Sequence, residues 1–197
     1  MALSIATWNV NSLKVRLPHL LDWLGRQQPD ILCVQETKLE DEKFPRSEIE
    51  SAGYQVVFSG QKTYNGVAIL SRDEPALVQT GIPGFDDDQK RVISATIGGT
   101  RIVCAYVPNG HAVDSEKYQY KLGWLAAFES WIASELRVQE KLAVLGDYNI
   151  APADEDVHDP VAWKDQVLCS EPERAAFQRL LALGLKEIGR ASCRERV

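Results

Sequence analysis

Residues 141–150 read KLAVLGDYNI, an apolar run that passes directly into polar side chains. The apolar part has the composition of a buried strand. Side chains two residues apart along a strand share one face, so the face that carries Leu145 continues to Asp147 and then to Asn149. Because Gly, Asp and Asn also favour ordinary turns, this stretch alone does not identify a functional site.

Three other apolar runs also finish with an oxygen-bearing side chain. By the same alternation, they lead to Asn9, Glu36 and Tyr106. Each has an ordinary explanation: Asn9 can cap a helix, Glu36 can begin a solvated loop, and Tyr106 can be a strand aromatic. If the four strand ends are neighbours, however, they line one pocket with two carboxylates, two carboxamides and a phenol. The convergence of four runs favours such a pocket.

The predicted pocket carries the hard oxygen donors that Mg²⁺ prefers. This ion keeps several waters and is usually held by only one or two carboxylates together with phosphate oxygens of the substrate. In phosphodiester hydrolysis, Mg²⁺ polarises the phosphoryl oxygen, and a nearby carboxylate orients or deprotonates the attacking water. The sequence therefore predicts a magnesium-dependent site that cleaves phosphodiesters.

Short apolar runs recur along the chain and predict strands. They cover Leu3–Val10, Asp30–Gln35, Tyr54–Phe58, Gly66–Leu70, Arg91–Ile97, Arg101–Val107 and Lys141–Leu145. Helical periodicity appears at Leu17–Leu24, at Tyr118–Leu136 after a cap at Asp114 or Ser115, and at Ala175–Leu183. Several consecutive strands interrupt the strand-helix order, which predicts a mixed α/β domain rather than a purely parallel one. Gly98-Gly99 predicts a hairpin.

Length and composition indicate a globular chain with one sizeable core, since 45% of its 197 residues are hydrophobic. No apolar run approaches the roughly 20 residues of a membrane span, and the N-terminus lacks a signal-peptide pattern. We therefore expect a cytoplasmic protein. Zinc is not expected, because no histidine or cysteine has metal-ligand spacing. These residues are His19, His111, His158, Cys33, Cys104, Cys169 and Cys193.

The formal net charge of −6 argues against a protein that coats nucleic acid, because affinity for phosphates comes from Lys and Arg. It does not exclude a nuclease, since a local basic rim can bind phosphates in a chain that is acidic overall. Candidates for such a rim are Lys14, Arg16, Lys38, Lys62, Lys90 and Arg91. Taken singly, each of these charges can equally well belong to a solvated face.

Five motifs resemble, in chain order, those of the exonuclease III family within the endonuclease/exonuclease/phosphatase superfamily. They are TWNVNSL at 7–13, QETK at 35–38, YNGVA at 64–68, YVPNG at 106–110 and GDYNI at 146–150. The resemblance extends from about residue 3 to residue 187. It implies a four-layered α/β sandwich, in which two mixed sheets pack face to face between helices.

The resemblance also implies a role for each candidate residue. Asn9 and Glu36 hold or position the metal, with Asp147 and Asn149 as its further ligands. Tyr106 contacts the scissile phosphate, Asp147 orients the attacking water or supplies a proton, and Asn149 stabilises the phosphoryl transition state. Further substrate contacts are Lys38, Arg91 and Asn109.

The implied enzyme is a DNA repair nuclease that depends on Mg²⁺, with Mn²⁺ as a substitute. Its implied activities are 3′ to 5′ exonuclease action on double-stranded DNA and cleavage at abasic sites in base excision repair. We expect a monomer. Two other functions remain open: a phosphatase or phosphodiesterase of the same superfamily that acts on inositol phosphates or sphingolipids, and a non-catalytic remnant that binds nucleic acid.

The C-terminal part departs from the family pattern. The pattern continues with further strands, an Arg-x-Asp segment and a terminal Ser-Asp-His motif, and none of these occurs in this sequence. We therefore expect an incomplete domain over residues 1–187, without its final strands, followed by a tail over residues 188–197 that does not resemble the family and is either foreign sequence or a frayed natural end. With part of the site missing, we expect this chain to have little or no activity.

Overall fold

The computed structural model describes residues 3–190, which form eight strands in two four-stranded sheets. The strands are β1 (Ile5–Asn9), β2 (Ile31–Gln35), β3 (Gln55–Ser59), β4 (Val67–Ser71), β5 (Ala76–Thr80), β6 (Val92–Ile97), β7 (Thr100–Tyr106) and β8 (Leu142–Asp147). The helices are α1 (Leu13–Gln27), α2 (Arg46–Ser51), α3 (Glu116–Val138), α4 (Pro160–Trp163) and α5 (Glu171–Ala182). Single 3₁₀ turns lie at Asp41–Lys43 and Asp154–Asp156.

Both sheets are mixed. The first has the order β1-β2-β4-β3, with β1 parallel to β2 and the other pairs antiparallel. The second has the order β5-β6-β7-β8, with β7 parallel to β8 and the other pairs antiparallel. Because parallel neighbours end at the same edge, β1 ends beside β2, and β7 ends beside β8.

The first sheet has a different apolar core on each of its faces. One face packs against α1 and α2, where Leu32 and Val34 contact a cluster that includes Leu20 and Ile49. The opposite face forms a second core with the other sheet, built from aliphatic and cysteine side chains: Ile31, Cys33, Val67, Ile69, Ile93, Ala95, Ile97, Ile102 and Cys104. Each fully buried aliphatic side chain contributes roughly 1.5–3 kcal/mol to stability.

The chain divides into two compact units. The first comprises the residues up to Tyr106 together with Leu136–Asp147, and it contains both sheets, α1 and α2. The second comprises Val107–Glu135 together with the residues from Tyr148 onward, and it contains α4, α5 and most of α3. The expected boundary at residue 187 stays a prediction, and residues 191–197 of the expected tail lie outside the described residues.

The expected fold class, α/β with two packed mixed sheets and helices, is confirmed. All seven predicted strands are present, and the Gly98-Gly99 hairpin joins β6 to β7. The Ser115 hydroxyl accepts a hydrogen bond from the Tyr118 amide at 3.1 Å, as expected for a cap. Sequence periodicity missed β5 because this strand contains a register shift and exposes Leu77, so it lacks an alternating apolar face.

Cys33, Cys104 and Cys169 are buried free thiols, whereas Cys193 lies outside the described residues. Within residues 3–190, no helix is both long and apolar enough to cross a membrane.

Candidate active site

The side-chain amide of Asn9 joins two carboxylates in the first unit. Its Nδ2 donates to Glu36 Oε1 at 2.7 Å and to Asp147 Oδ2 at 2.7 Å. Its Oδ1 accepts the Asn11 amide at 3.0 Å, which fixes the orientation of the carboxamide. The ends of β1, β2 and β8 therefore meet at one side chain, as the convergence of strand ends suggested.

Strand alternation does not explain how Glu36 reaches this cluster. Leu32 and Val34 pack against the helices, on the face of β2 opposite the second sheet. Alternation alone would therefore direct Glu36 toward the helices, so the sequence argument was wrong on this point. The backbone of Glu36 adopts a left-handed conformation, with φ of 56°, directly after β2 ends. This turn in the chain brings the carboxylate to Asn9 instead.

The loop that carries Glu36 is held by a second loop that contains a glycine. The Thr37 amide donates to Gly66 O at 3.1 Å, and the Lys38 amide donates to Asn65 O at 2.9 Å. A Cβ atom at Gly66, where φ is +89°, would lie 2.1 Å from Thr37 Oγ1. The close approach of the two loops therefore requires glycine at this position.

A second glycine sets the position of Asp147. Gly146 has φ of +152°, and a Cβ atom there would lie 1.8 Å from the carbonyl oxygen of Ala105 on β7. The backbones of β7 and β8 are thus too close for any side chain at this point. The same pairing places Asp147 opposite Tyr106, so both side chains stand at the end of the second sheet.

Lys38 is the cation of the cluster. Its Nζ lies 2.8 Å from Glu36 Oε2 and donates to Asn11 Oδ1 at 2.5 Å. Burial on its own would raise the pKa of Glu36, but hydrogen bonds from Lys38, Asn9 and Tyr106 and the charge of Lys38 bring this pKa below its ordinary value. Glu36 is therefore ionised at neutral pH.

Tyr106 and Arg91 form the neighbouring part of the site. The Arg91 guanidinium lies 4.8 Å from the centre of the Tyr106 ring and donates to the Tyr106 carbonyl at 3.2 Å. Burial, together with the charge of Glu36 and a hydrogen bond to it, strongly raises the pKa of the Tyr106 phenol. The hydroxyl therefore keeps its proton and can act as a hydrogen-bond donor.

The donor set of this cluster fits a hard divalent cation. Glu36 and Asp147 supply two carboxylates, and Asn9 lies between them. Mg²⁺ is commonly bound through one or two carboxylates, with waters and phosphate oxygens as its other ligands. Among residues 3–190, no group of three or more His, Cys, Asp and Glu side chains is placed to hold a metal. Glu36, Asp147 and Asn9 thus fit the expected magnesium site. Asn149, the fourth expected ligand, belongs to the second unit.

Asn109 and Asn149 lie together in the second unit. Asn149 Nδ2 donates to the carbonyl of Val107 at 2.9 Å, and Asn109 Nδ2 lies 3.4 Å from Asn149 Oδ1. Asn149 follows β8 with a left-handed backbone, at φ of 47°. Asn109 also accepts the amide of His111 at 3.1 Å. The two carboxamides of the YVPNG and GDYNI motifs are thus joined to each other.

Two polar residues beside these asparagines were not identified from the sequence. Lys121 and Glu173 are completely buried and paired within the second unit. The only sequence signal is the position of Lys121 three residues after Tyr118 and four before Leu125, on the otherwise apolar stripe of α3. A lysine within such a stripe indicates a buried partner, but periodicity does not identify that partner.

A family comparison covers most of the chain. The model of the endonuclease/exonuclease/phosphatase family matches residues 6–182. Exodeoxyribonuclease III of Haemophilus influenzae is 34% identical to this chain, and the match covers 92% of this chain and 72% of that protein. The expected exonuclease III resemblance and the expected nuclease class of hydrolase are confirmed by the family match and this relative.

Solved structures agree with the sequence comparison. The 3′ phosphatase NExo from Neisseria, bound to a product DNA hairpin, is 49% identical and superposes with a TM-score of 0.91. An AP endonuclease from Archaeoglobus fulgidus is 43% identical, with a TM-score of 0.89. Each comparison covers 92% of this chain and 71% of the other chain. The family match over residues 6–182 and these relatives show that the chain belongs to the endonuclease/exonuclease/phosphatase family.

Proposed function

We propose that this chain is a magnesium-dependent DNA repair nuclease, with 3′ to 5′ exonuclease and abasic-site endonuclease activities on double-stranded DNA. The observation that carries the proposal is the pair of carboxylates, Glu36 and Asp147, held by the single amide of Asn9. Relatives named as exodeoxyribonuclease III and AP endonuclease support the choice of substrate.

In this proposal, Glu36, Asp147 and Asn9 hold the metal, with Asn149 as the further expected ligand. The bound Mg²⁺ supplies Lewis-acid stabilisation of the phosphoryl group and its leaving oxygen. The lowered pKa of Glu36 supports this assignment, because the carboxylate stays negatively charged over the neutral pH range. Lys38 balances part of this charge and keeps Glu36 oriented.

Asp147 is proposed to orient the attacking water and to accept its proton. Its Oδ2 accepts a hydrogen bond from the Asn9 amide at 2.7 Å, which holds this oxygen toward Asn9. A positioned general base typically contributes 10²–10⁴-fold to the rate. Asn149 is proposed to donate to the phosphoryl group in the transition state.

Tyr106 is proposed to donate a hydrogen bond to a nonbridging oxygen of the scissile phosphate. Its raised pKa suits this role, since a phenolate would repel the phosphate. Arg91, packed on the ring, is proposed to contact the DNA backbone, as are Lys38 and Asn109. Guanidinium and ammonium groups are the usual partners of phosphate oxygens.

The test is cleavage of a DNA duplex that contains one abasic site, in Mg²⁺ and in EDTA. We expect cleavage at the abasic site in Mg²⁺, at a low rate for this 197-residue chain, restoration by Mn²⁺ after metal removal, and no cleavage in EDTA. An undamaged duplex with a recessed 3′ end measures the exonuclease in parallel. Hydrolysis of an inositol phosphate or sphingolipid head group without action on either duplex would exclude the proposal.

A second candidate activity is removal of a 3′ phosphate from DNA. It is supported by the 49% identity to a protein described as a 3′ phosphatase bound to product DNA. The chemistry is close, because both reactions attack phosphorus beside a 3′ oxygen. A duplex with a 3′-phosphate end, assayed beside the abasic duplex, separates the two activities.

The expected low activity of the 197-residue chain and its monomeric state stay predictions. The same cleavage assay measures the first, and analytical ultracentrifugation of the chain measures the second.

A further inference from the structure

Lys121 of α3 contributes a fully buried ammonium group to the second unit. The contacts of its Nζ include the carbonyl of Asn109 at 3.1 Å, the carbonyl of Asn149 at 2.6 Å and Glu173 Oε1 at 2.5 Å. All three donor positions of an ammonium can be used in this arrangement. One side chain therefore connects the backbones of both asparagine-bearing loops to α5.

Glu173 is fixed from its other sides. Its Oε1 also accepts the Leu168 amide at 3.0 Å, and its Oε2 accepts the Ser170 amide at 3.2 Å and the Ser170 hydroxyl at 2.5 Å. The Ser170 hydroxyl in turn lies 2.6 Å from the Tyr118 hydroxyl. The ammonium is thus anchored to a carboxylate that has little freedom to move.

A buried ion pair by itself does not explain this arrangement. Removing two charges from water costs several kcal/mol per ion, and an apolar pair of similar size is often as stable. The surrounding stripe of α3 is apolar and includes Trp124, Leu125 and Phe128. The feature that an apolar pair cannot reproduce is the donation to the two backbone carbonyls.

The backbone at Gly110 packs against the aliphatic part of the Lys121 side chain. Gly110, at φ of +95°, follows Asn109, and a Cβ atom there would lie 3.2 Å from Lys121 Cδ. Asn109 Nδ2 lies 3.4 Å from Asn149 Oδ1, and Lys121 holds the backbone carbonyls of the same two residues. A shift of the ammonium would therefore move both carboxamides together.

We propose that Lys121, anchored by Glu173, is a positioning residue that sets the carboxamides of Asn109 and Asn149 for the phosphate substrate. This inference rests on the proposed function, in which Asn149 donates to the phosphoryl group and Asn109 contacts the DNA backbone. Lys121 does not touch the substrate and acts only through the two loop backbones.

The experiment compares variants of the full chain. Lys121→Met removes the ammonium but leaves Glu173 buried without its cation, so this variant tests folding as well as positioning. The double variant Lys121→Met/Glu173→Leu removes both charges and separates the two effects. Arg179→Met is the matched control, because Arg179 Nε pairs with Glu129 at 2.8 Å between the same two helices, away from both asparagines.

Three quantities are measured for each variant: the midpoint of thermal unfolding, kcat and KM on the abasic duplex, and amide hydrogen exchange over residues 107–112 and 148–151. We expect the double variant to unfold near the parent temperature, with kcat lowered by about 100-fold and KM changed much less. We also expect faster exchange at His111, whose amide binds Asn109 Oδ1. Arg179→Met should match the parent in all three.

Recovery of stability, kcat and hydrogen exchange together in the double variant would overturn the inference, because the pair would then serve folding alone. If the parent chain cleaves no duplex, that result bears on the proposed function and on the expected low activity of this chain, and hydrogen exchange still decides whether Lys121 orders the two loops. Unchanged exchange over both segments in a folded double variant also contradicts the positioning role.

Discussion

The first unit has a carboxylate cluster around Asn9, and the second unit has a lysine network formed by Lys121, Glu173 and their partners. Each contains a lysine paired with a glutamate, but the two pairs lie in opposite environments. Around Asn9, the charged side chains of Glu36 and Lys38 are partly exposed. Around Lys121, both members of the ion pair are completely buried. Groups at the surface can exchange partners with a metal or a phosphate, whereas buried groups can only hold the fold around them. The difference separates residues proposed for chemistry from residues proposed to support them.

The largest expected effect is on folding of the first unit. Gly146→Ala would place Cβ 1.8 Å from the Ala105 carbonyl oxygen, so the β7-β8 pair must separate. We expect destabilisation by more than about 4 kcal/mol, measured as loss of the cooperative unfolding transition. Gly25→Ala is the matched control, since nothing lies within 4 Å of a Cβ atom there. A Gly146→Ala chain that unfolds at the parent temperature would contradict the described pairing.

The next effect is on catalysis by the carboxylate cluster. Asp147→Asn keeps the shape of the side chain but removes the base, and we expect kcat on an abasic duplex to fall by about 10³-fold. Thermal unfolding should change little, because the side chain lies at the rim of the sheet. Asp159→Asn, a change in an exposed cap of α4, is the control. Retention of more than a tenth of the parent kcat in Asp147→Asn would remove Asp147 from the proposed mechanism.

Removal of the Lys121 ammonium alone should act mainly through stability. Lys121→Met alone leaves a buried carboxylate without its cation, and such a change typically costs about 3–5 kcal/mol. Denaturant titration of this variant beside Lys38→Met compares the two environments. We expect Lys38→Met to cost less than about 1 kcal/mol, because its ion pair is partly exposed. Equal losses in the two variants would contradict the distinction between the units.

A smaller effect concerns pH. The pKa of Glu36 is lowered in the folded chain, so its contribution to stability is present above the ordinary glutamate pKa and is lost as pH falls through the lowered value. The difference in unfolding free energy between the parent and Glu36→Gln should therefore shrink on acidification. Glu42→Gln, at an exposed position, is the control substitution. A difference that grows in acid has the wrong sign for this interpretation.

Most of the fold could be predicted from the sequence, because most strands are apolar runs of ordinary length. All seven predicted strands and three helices exist, and the missed elements are those with weak periodicity. β5 exposes Leu77, and α2 has six residues with Ile49 as its only buried one. Hydrophobic periodicity predicts an element only where a buried face repeats, and β5 and α2 have no such face.

For the candidate site, alternation gave a sound reason for Asn9 and Asp147, which continue the faces of β1 and β8. It gave a wrong reason for Glu36, because a left-handed residue after β2 reverses the direction of the side chain. Left-handed backbone at a non-glycine residue depends on neighbouring loops, here the one that contains Gly66. Such a conformation has no period that the sequence could display.

By itself, the sequence determined most of the strands, the apolar faces and the set of polar residues at the strand ends, because these depend on local spacing along the chain. Only the tertiary structure decided that one amide holds Glu36 and Asp147 together, and that Lys121 finds two loop carbonyls and Glu173. Those contacts join residues 27 to 138 positions apart in the first cluster and 12 to 52 apart in the second. Partners at such separations are selected by packing, which local patterns do not encode.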